Sequence, residues 1–379
     1  MTPRASTTAL MPVAEAVAAL AALARPVAAV ETGTAEAGGT VAARDIVVGT
    51  GRPEARTALR DGWAVSAAAI VGASPYAPVR LARAPAWVEA GAPLPADADA
   101  LLPPEAVPPE AVPPEAVPPE AAGGEPLEIE VEVAAGEGTR APGAEMPSGA
   151  RLVMAGERVT ALQALALAAA GLAQLTVRRP RLRLLAAVPD TLTPLLGAWI
   201  AARGGVAEPA ARPAEVDPLA DAILAPGADA VVVIGGTGLG RRDITASALA
   251  RAGRLHAHGI ALRPGESAGF GEAAGRPVLL LPGRPDATLA AWLALGRPLL
   301  AALAGAGPET TPTLPLTRKV ASVIGLTEAV FLHRTASGVE PLGGAEIPLH
   351  RLARADAALL VPPAHEGYPA GTAVEVLPL

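Results

Sequence analysis

Cysteine is absent from the 379 residues. That excludes a disulfide framework, a thiol nucleophile and a thiolate metal site. Histidine is scarce, with five residues in all, which argues against a histidine-rich zinc site. Aromatic residues make up only 2%, so Trp63, Trp87, Trp199 and Trp292 are rare large side chains expected in core or interface packing. The sole lysine is Lys319, and all other basic charge is arginine. No long stretch is purely apolar. The longest uncharged one, Val159–Val177, is broken by Thr160, Gln163 and Gln174, so no membrane span is expected. The apolar run Val13–Ala24 contains Glu15 and is followed by Arg25, and reads as an amphipathic helix rather than a signal peptide. A cytoplasmic location is therefore expected. The net charge of −7 suits an enzyme and is a poor match to nucleic acid.

What is present is Ala, Arg, Gly and Pro in excess, enough chain for about two to four domains. Alanine serves helices and strands alike, so patterning and turn chemistry outweigh propensity. Residues 12–28 read as a helix, and 39–48 as a short strand region. Asp61-Gly62 turns the chain into an aromatic and β-branched run. Residues 72–153 are rich in Pro and Gly. They include the alternating run Leu127–Val133, a strand with one acidic, wet face. Pro103-Pro104-Glu105-Ala106-Val107 recurs at 108, 113 and, without its Val, at 118, which reads as an exposed insertion. Residues 157–171 form a helix stopped by Gly171.

From residue 181 the pattern becomes α/β. Strands are expected at 181–187, 230–234 and 278–281. Helices are expected at 195–203, 216–224, 244–253 and from Asp286 to about 304, with the Asp286 carboxylate as its cap. Alternation of this kind builds a mostly parallel sheet with its ligand site beyond the carboxyl ends of the strands. A linker at 305–316 precedes a stretch of short strands and turns.

The strongest local signal is the loop Gly235-Gly236-Thr237-Gly238-Leu239-Gly240, delivered by an apolar strand and followed by Asp243. Missing side chains let backbone N–H groups approach an anion closely. The loop lacks the Lys of a P-loop and the spacing of a dinucleotide fingerprint. It is either a phosphate or phosphoester cradle or a tight βα turn required for packing. Pro282-Gly283-Arg284-Pro285 is a second loop of this kind, with Arg284 as a phosphate clamp. The segment from His258 to Glu266 adds a third, with Arg263. His256 and His258 themselves suit a surface equally well. Asp61, Glu145, Asp190, Asp229 and Asp243 lie in or beside turns. Each alone suits a cap, and together they suit a hard cation if the fold converges them.

These motifs, in order along nearly the whole chain, resemble the MoeA/gephyrin E-domain family of molybdopterin molybdenumtransferases. Arg60-Asp61-Gly62-Trp63-Ala64-Val65 resembles the family's Met-Asp-Gly-Tyr-Ala-Val box. Ala90-Gly91-Ala92-Pro93-Leu94-Pro95 with Asp97-Ala98-Asp99-Ala100-Leu101 is similar to its Thr-Gly-Ala-Pro-Leu-Pro and Gly-Ala-Asp-Ala-Val. The glycine loop with Asp243 is similar to Ser-Gly-Gly-Val-Ser-Val-Gly plus Asp. His258 through Phe270-Gly271 to Leu281-Pro282-Gly283-Arg284-Pro285 resembles its His-Gly through Leu-Pro-Gly-Asn-Pro.

The resemblance implies a multidomain α/β protein with a mostly parallel-sheet molybdopterin-binding domain plus small β domains. Its parts are an elongated N-terminal domain (1–71 and 138–176, the latter with a linking helix) and an inserted small β domain carrying the repeat (72–137). The α/β molybdopterin-binding domain (177–306) and a C-terminal β-barrel-like domain (307–379) follow. It implies molybdate insertion into adenylylated molybdopterin with release of AMP, aided by magnesium (Mg2+). It implies a homodimer sharing its active site, with molybdopterin adenylyltransferase or molybdoenzyme partners, and no nucleic acid or membrane. By position it assigns catalytic roles to Asp61, Glu145, Asp190 and Asp229, with Asp190 and Asp229 as metal ligands. Cofactor binding falls to Gly235, Gly236, Thr237, Gly238, Gly240, Asp243, Arg263, Pro282, Gly283 and Arg284.

The chain departs from the family where Gly-Glu-Asp-Ile becomes Gly143-Ala144-Glu145-Met146 and where Thr-Gly-Asp-Glu-Leu becomes Ala187-Val188-Pro189-Asp190-Thr191. It departs again where the lysines of Lys-Pro-Gly-Lys-Pro become Arg263 and Glu266. A non-catalytic molybdopterin-binding or scaffold role is the alternative these changes raise.

Overall fold

The computed structural model describes residues 9–82, 84–107, 127–187, 190–238, 240 and 243–379. Most of the proline-rich repeat lies outside the described residues, as do Val188, Pro189 and Leu239. The chain forms two units. One comprises Met1–Arg44, Met154–Leu165 and Ala173–Leu379; the other comprises Asp45–Val153 and Ala166–Leu172.

The larger unit is built on a six-stranded sheet. Helix α1 (Val13–Leu23) precedes it in the chain. Then come β1 (Arg181–Ala186), α2 (Leu192–Ala202), β2 (Val206–Ala211), α3 (Val216–Leu224), β3 (Ala230–Ile234) and α4 (Thr245–Ala252). β4 (Arg254–His258), β5 (Gly269–Ala273), β6 (Arg276–Leu281) and α5 (Pro285–Ala304) complete it. The strand order is β2-β1-β3-β6-β5-β4. The first four strands are parallel, and β5 and β4 add antiparallel.

Side-chain alternation along the strands explains the layering. Leu182, Leu184, Val232, Ile234, Leu279 and Leu281 join one core with Leu20 of α1, Leu196 and Ile200 of α2, and Trp292 of α5. Leu185, Val231, Val233, Val278 and Leu280 join the opposite core with Leu219 and Ile223 of α3 and Leu249 of α4. A sheet apolar on both faces needs helices on both, and receives them.

α5 is the one described helix long and apolar enough to cross a membrane, but 78% of its apolar window is buried inside the fold. Its middle turn, Trp292–Gly296, is a π-turn. Pro298 follows in the next turn and cannot donate a backbone hydrogen bond, a recognised cause of such irregularity.

The same unit holds a C-terminal sheet in which Thr327–Thr335 pairs with Gly338–Gly343 and Ala357–Val361. Leu262–Arg263, from the crossing before β5, joins this sheet in parallel with Thr327 and Glu328. Asp286, at 3% exposure, adds a second tie. Its Oδ2 accepts from the Glu346 N–H at 2.7 Å and its Oδ1 from Arg284 Nε at 2.9 Å. Asp286 was expected to cap its own helix. Its oxygens are instead held by the C-terminal segment and by Arg284, and no side-chain cap bond forms at that helix start.

The segment after α5 is pinned by Glu309. Its Oε1 accepts from Arg158 at 3.0 Å and Arg203 at 2.7 Å, its Oε2 from Arg203 at 2.9 Å, and Arg297 also donates to Oε2. Burial alone would raise this carboxyl. The hydrogen bond and charge of Arg297, with the charges of Arg203 and Arg158, outweigh it and hold it at about 2 instead of 4.5. A depressed carboxylate stabilises the fold above its unfolded value, and the contribution is lost as pH falls from 4.5 toward about 2. With solvent screening discounted, about 2 kcal/mol is at stake. Glu309→Gln is expected to be less stable than the parent by that amount at pH 7, the gap closing in acid. Urea unfolding at pH 7 and pH 3 measures it. A gap equal at both values would rule out the charge as its source.

The smaller unit is made of short strands. Gly62–Val65 lies between Ala86–Val88 and Ala100–Leu102, all antiparallel. Val79–Leu81 pairs with Leu127–Ile129, the start of the run read as alternating. Trp63 is buried and meets Trp87 edge-on at 5.0 Å, with Nε1 donating to the Pro104 carbonyl at 3.1 Å. Trp87 itself is 44% exposed, on the outside of the packing expected for it.

Candidate functional site

In a doubly wound sheet the ligand crevice opens where successive connections leave in opposite directions. Here that is between β1 and β3, because the chain runs from β1 to β2 on one side and then to β3 on the other. The loops at the carboxyl ends of β1, β2, β3 and β6 surround it.

The glycine loop follows β3. Gly235 and Gly236 have φ of 80° and 75°, a left-handed conformation that favours glycine. Gly283 of the second loop comes so close that a side chain there would stand 3.3 Å from the Gly235 Cα. The Gly235 N–H donates to the Leu281 carbonyl at 2.8 Å. The two loops are thus brought side by side, and Pro282, in the second, accepts from Thr288 Oγ1 at 2.6 Å through its carbonyl.

Behind them the loop is braced. Thr245 Oγ1 donates to the Gly235 carbonyl at 2.9 Å. Thr237 is 3% exposed; its hydroxyl shares a 3.0 Å hydrogen bond with Ser267, and its carbonyl lies 2.7 Å from His258 Nε2. Thr237 was expected to bind the ligand; its hydroxyl is turned to Ser267 and braces the loop. His258 is likewise a brace rather than a free surface group. His256 stacks on Phe270 at 6.0 Å.

Asp243 also turns inward. Its Oδ2 accepts from the Gly240 N–H at 2.7 Å and would clash with a side chain on Gly238 or Gly240, each 2.8 Å away. It caps the loop instead of α4, which begins at Thr245.

Asp190, at the end of the β1 loop, accepts from the N–H groups of Leu192 at 3.0 Å and Thr193 at 2.8 Å, at the start of α2. Burial pushes its carboxyl up, but these hydrogen bonds prevail and hold it below its ordinary value. It stays ionised beside the crevice.

Asp229 is elsewhere. It precedes β3, and its Oδ2 accepts from the Arg181 N–H at 2.7 Å. Both residues mark the amino ends of their strands. A five-residue strand separates that edge from the crevice by about 16 Å. Asp190 and Asp229 therefore cannot share one cation, contrary to the expectation from position.

Asp61 and Glu145 belong to the smaller unit. Asp61 Oδ1 accepts from the Ala90 N–H at 2.8 Å, and Glu145 pairs with Arg140 at 3.0 Å, both exposed. Among the described residues, no group of three or more His, Cys, Asp or Glu could hold a metal ion. Magnesium keeps several waters and is held by one or two carboxylates together with substrate phosphates. The crevice carboxylates, Asp190 and Asp243, each accept from backbone N–H groups.

Arg284 was expected to clamp phosphate. Half-exposed, it spends Nε on Asp286 and lies 3.7 Å from Glu346. Arg263 is exposed on the strand Leu262–Arg263.

A residue missed in the sequence takes a stronger position. Arg212 directly follows β2, with its N–H donating to the Ala186 carbonyl at 2.7 Å. Its guanidinium reaches across the end of β1, so that Nη1 lies 3.0 Å from where a side chain on Gly236 would stand. Among the described residues its buried Nε has no hydrogen-bond partner. A cation beside a loop of closely approached glycines is the composition of a phosphate-binding site. No apolar strand announced Arg212: β2 reads Val-Ala-Glu-Pro-Ala-Ala, with Pro209 tolerated because β2 is an edge strand.

Comparison with known proteins adds to this geometry. The family described as "Probable molybdopterin binding domain" matches residues 176–302, and that described as "MoeA N-terminal region (domain I and II)" matches residues 11–171. A molybdopterin molybdenumtransferase 2 of Mycobacterium tuberculosis is 28% identical, over 90% of this chain and 93% of its own. A molybdopterin biosynthesis protein of Methanocaldococcus jannaschii is 32% identical over 151 residues, 39% of this chain. The chain spans only 36% of that relative's length. The crystal structure of a molybdopterin biosynthesis MoeA protein from Pyrococcus horikoshii superposes with a TM-score of 0.72 at 26% identity, covering 97% of this chain and 98% of its own.

Proposed function

Because this chain belongs to the MoeA family, we propose that it acts in molybdenum cofactor synthesis as a molybdopterin molybdenumtransferase. Molybdate and adenylylated molybdopterin would give molybdenum cofactor and AMP. The observation that carries the reading is the crevice at the switch point. There Gly235 and Gly283 meet back to back, and Arg212 reaches in toward Gly236. On this reading the Arg212 guanidinium holds the phosphates of the nucleotide-linked pterin, with loop N–H groups other than those of Gly235 and Gly240, which are bonded within the fold. Aimed at the bond being broken, such donors stabilise the charge that develops on departing AMP. Bracing by Thr237, Ser267, His258 and Asp243 keeps them in place without reorganisation.

On this reading the family's parts are 1–71 with 138–176, the insert 72–137, the molybdopterin-binding domain 177–306 and the C-terminal domain 307–379. The active form is a cytoplasmic homodimer. Asp61 and Glu145 of one copy complete the crevice of the other and add carboxylates for a magnesium ion. The adenylylated pterin comes from a molybdopterin adenylyltransferase, and the product passes to a molybdoenzyme.

The substitutions at Ala144 and Glu266 support a second reading, retention of the pterin without insertion. Glu266 puts a carboxylate beside the crevice loops, where its own Oε2 accepts from the Gly265 N–H at 3.1 Å. One assay separates the two. Purified protein with adenylylated molybdopterin, molybdate and magnesium is expected to release AMP only when molybdate is present. Retained pterin without AMP would select the binding role. In the same assay Arg212→Gln is expected to raise KM for the pterin about 10–100-fold, the worth of one charged hydrogen-bonding group. An unchanged KM would remove Arg212 from the site.

A further inference from the structure

Beyond this crevice, the larger unit holds a second concentration of charge. Arg158, Arg203 and Arg297 converge on the single carboxylate of Glu309. Three guanidinium groups against one carboxylate leave two positive charges uncompensated, and among the described residues these arginines make no other ion pair. Their side chains are 23%, 19% and 11% exposed, so water screens the excess poorly. Burial and the charge of Arg297 lower the Arg203 pKa, as expected where like charges crowd.

Arg158 Nη1 also donates to the carbonyls of Gly39 at 2.7 Å and Arg203 at 2.5 Å, and Arg297 Nη1 to that of Pro378 at 3.4 Å, but these bonds cancel no charge. Three guanidinium groups with a cavity opening beside them are the composition of an oxyanion pocket. That cavity has a volume of about 260 Å³ and is lined by all three arginines with Trp199, Trp292 and Leu379 among its walls. It exceeds the roughly 30 Å³ of a water and falls short of the roughly 300 Å³ at which drug-sized pockets begin. The cluster is not part of the crevice. Asp190 stands at the start of α2 and Arg203 just past its end, and eleven helical residues separate them by about 16 Å.

We propose that the Arg158–Arg203–Arg297 cluster binds a small, doubly charged oxyanion of the phosphate type, free or at the end of an ester, alongside Glu309. Glu309 holds the three arginines together in the empty pocket, and its negative charge limits how tightly the anion binds. This assignment is independent of the reaction proposed for the crevice.

The test is calorimetric titration of the full chain with inorganic phosphate and, separately, ribose 5-phosphate, in constant ionic strength set with chloride. Binding to the crevice contributes equally to parent and variants and drops out of the comparison. Glu309→Gln is expected to tighten binding about tenfold by removing the like charge. Arg203→Gln and Arg158→Gln are expected to weaken it about tenfold or more. Phosphate alone responding identifies a free anion, and both titrants responding identifies an ester; either supports the site. Unchanged or weaker binding by Glu309→Gln would overturn it. Phosphate affinity indifferent to every folded variant would also overturn it. Glu309→Gln keeps the size of the side chain, and with its melting curve establishing that it is folded under the titration conditions, it decides the matter even if an arginine variant fails to fold.

Discussion

Asp190→Asn is expected to lower turnover about 10²–10³-fold, the usual loss for one well-placed electrostatic group. The fold should survive at some cost in stability, because Asn keeps one acceptor oxygen for the helix start and loses one of the two bonds to the N–H groups of Leu192 and Thr193. What disappears is a charge that those hydrogen bonds keep ionised at the mouth of the crevice. Asp229→Asn is the matched control. Its carboxylate serves the Arg181 N–H at the far edge of the sheet, so turnover should be essentially unchanged and only stability should fall. Rates of AMP release by the two variants, with melting curves for both, make the comparison. Equal losses from both would mean that Asp229 reaches the reacting groups by a route this fold does not offer. No loss from Asp190→Asn would remove the carboxylate from the chemistry.

The largest effect on stability is expected at Trp292. It is 1% exposed and sits in the core shared by α1, α2, α5 and the sheet. Truncation to Ala should cost about 3–5 kcal/mol, combining lost apolar burial with a cavity that close-packed neighbours cannot refill. Its indole also dictates its neighbour. A Cβ on Gly296 would stand 2.3 Å from the Trp292 ring, which no small adjustment accommodates inside a buried helix. Gly296→Ala should therefore cost about 1–3 kcal/mol by overpacking. The double variant should be less destabilised than the sum, because the new methyl enters space the indole has left. Urea unfolding of the four chains closes the cycle. Strict additivity would show that the contact does not set the choice of glycine.

Much of the α/β core was legible because its strands carry their own boundaries. Ala230–Ile234 and Val216–Leu224 are observed over the residues the pattern assigns them. The apolar run is five residues long and bounded by Asp229 and glycine, and the helix has apolar residues at helical spacing. The helix after the second loop runs to Ala304 as expected, though its π-turn was not foreseen. β2, β4 and β5 were not legible. β2 carries proline on an edge, and β5 is Gly-Phe-Gly-Glu-Ala, whose glycines exist because β4 lies against them: a side chain on Gly271 would stand 2.0 Å from the Arg254 carbonyl.

At the candidate site, the two glycine loops could be named from sequence but not their meeting. Gly235 and Gly283 are 48 residues apart in the numbering, and only the pairing of β3 with β6 sets them side by side. For the same reason, Asp229 and Asp190 look equivalent as turn carboxylates. Strand direction puts one at each end of the sheet.

By itself, then, the sequence determined the family, the α/β alternation and the absence of thiol chemistry, since each is written in residue identity, local order or period. The tertiary structure alone decided that Arg212 overlooks the glycine loop, that Thr237 and Asp243 brace it, and that three distant arginines share one glutamate. Those are distances between segments far apart in the chain, set by sheet order and packing, and no local pattern encodes them.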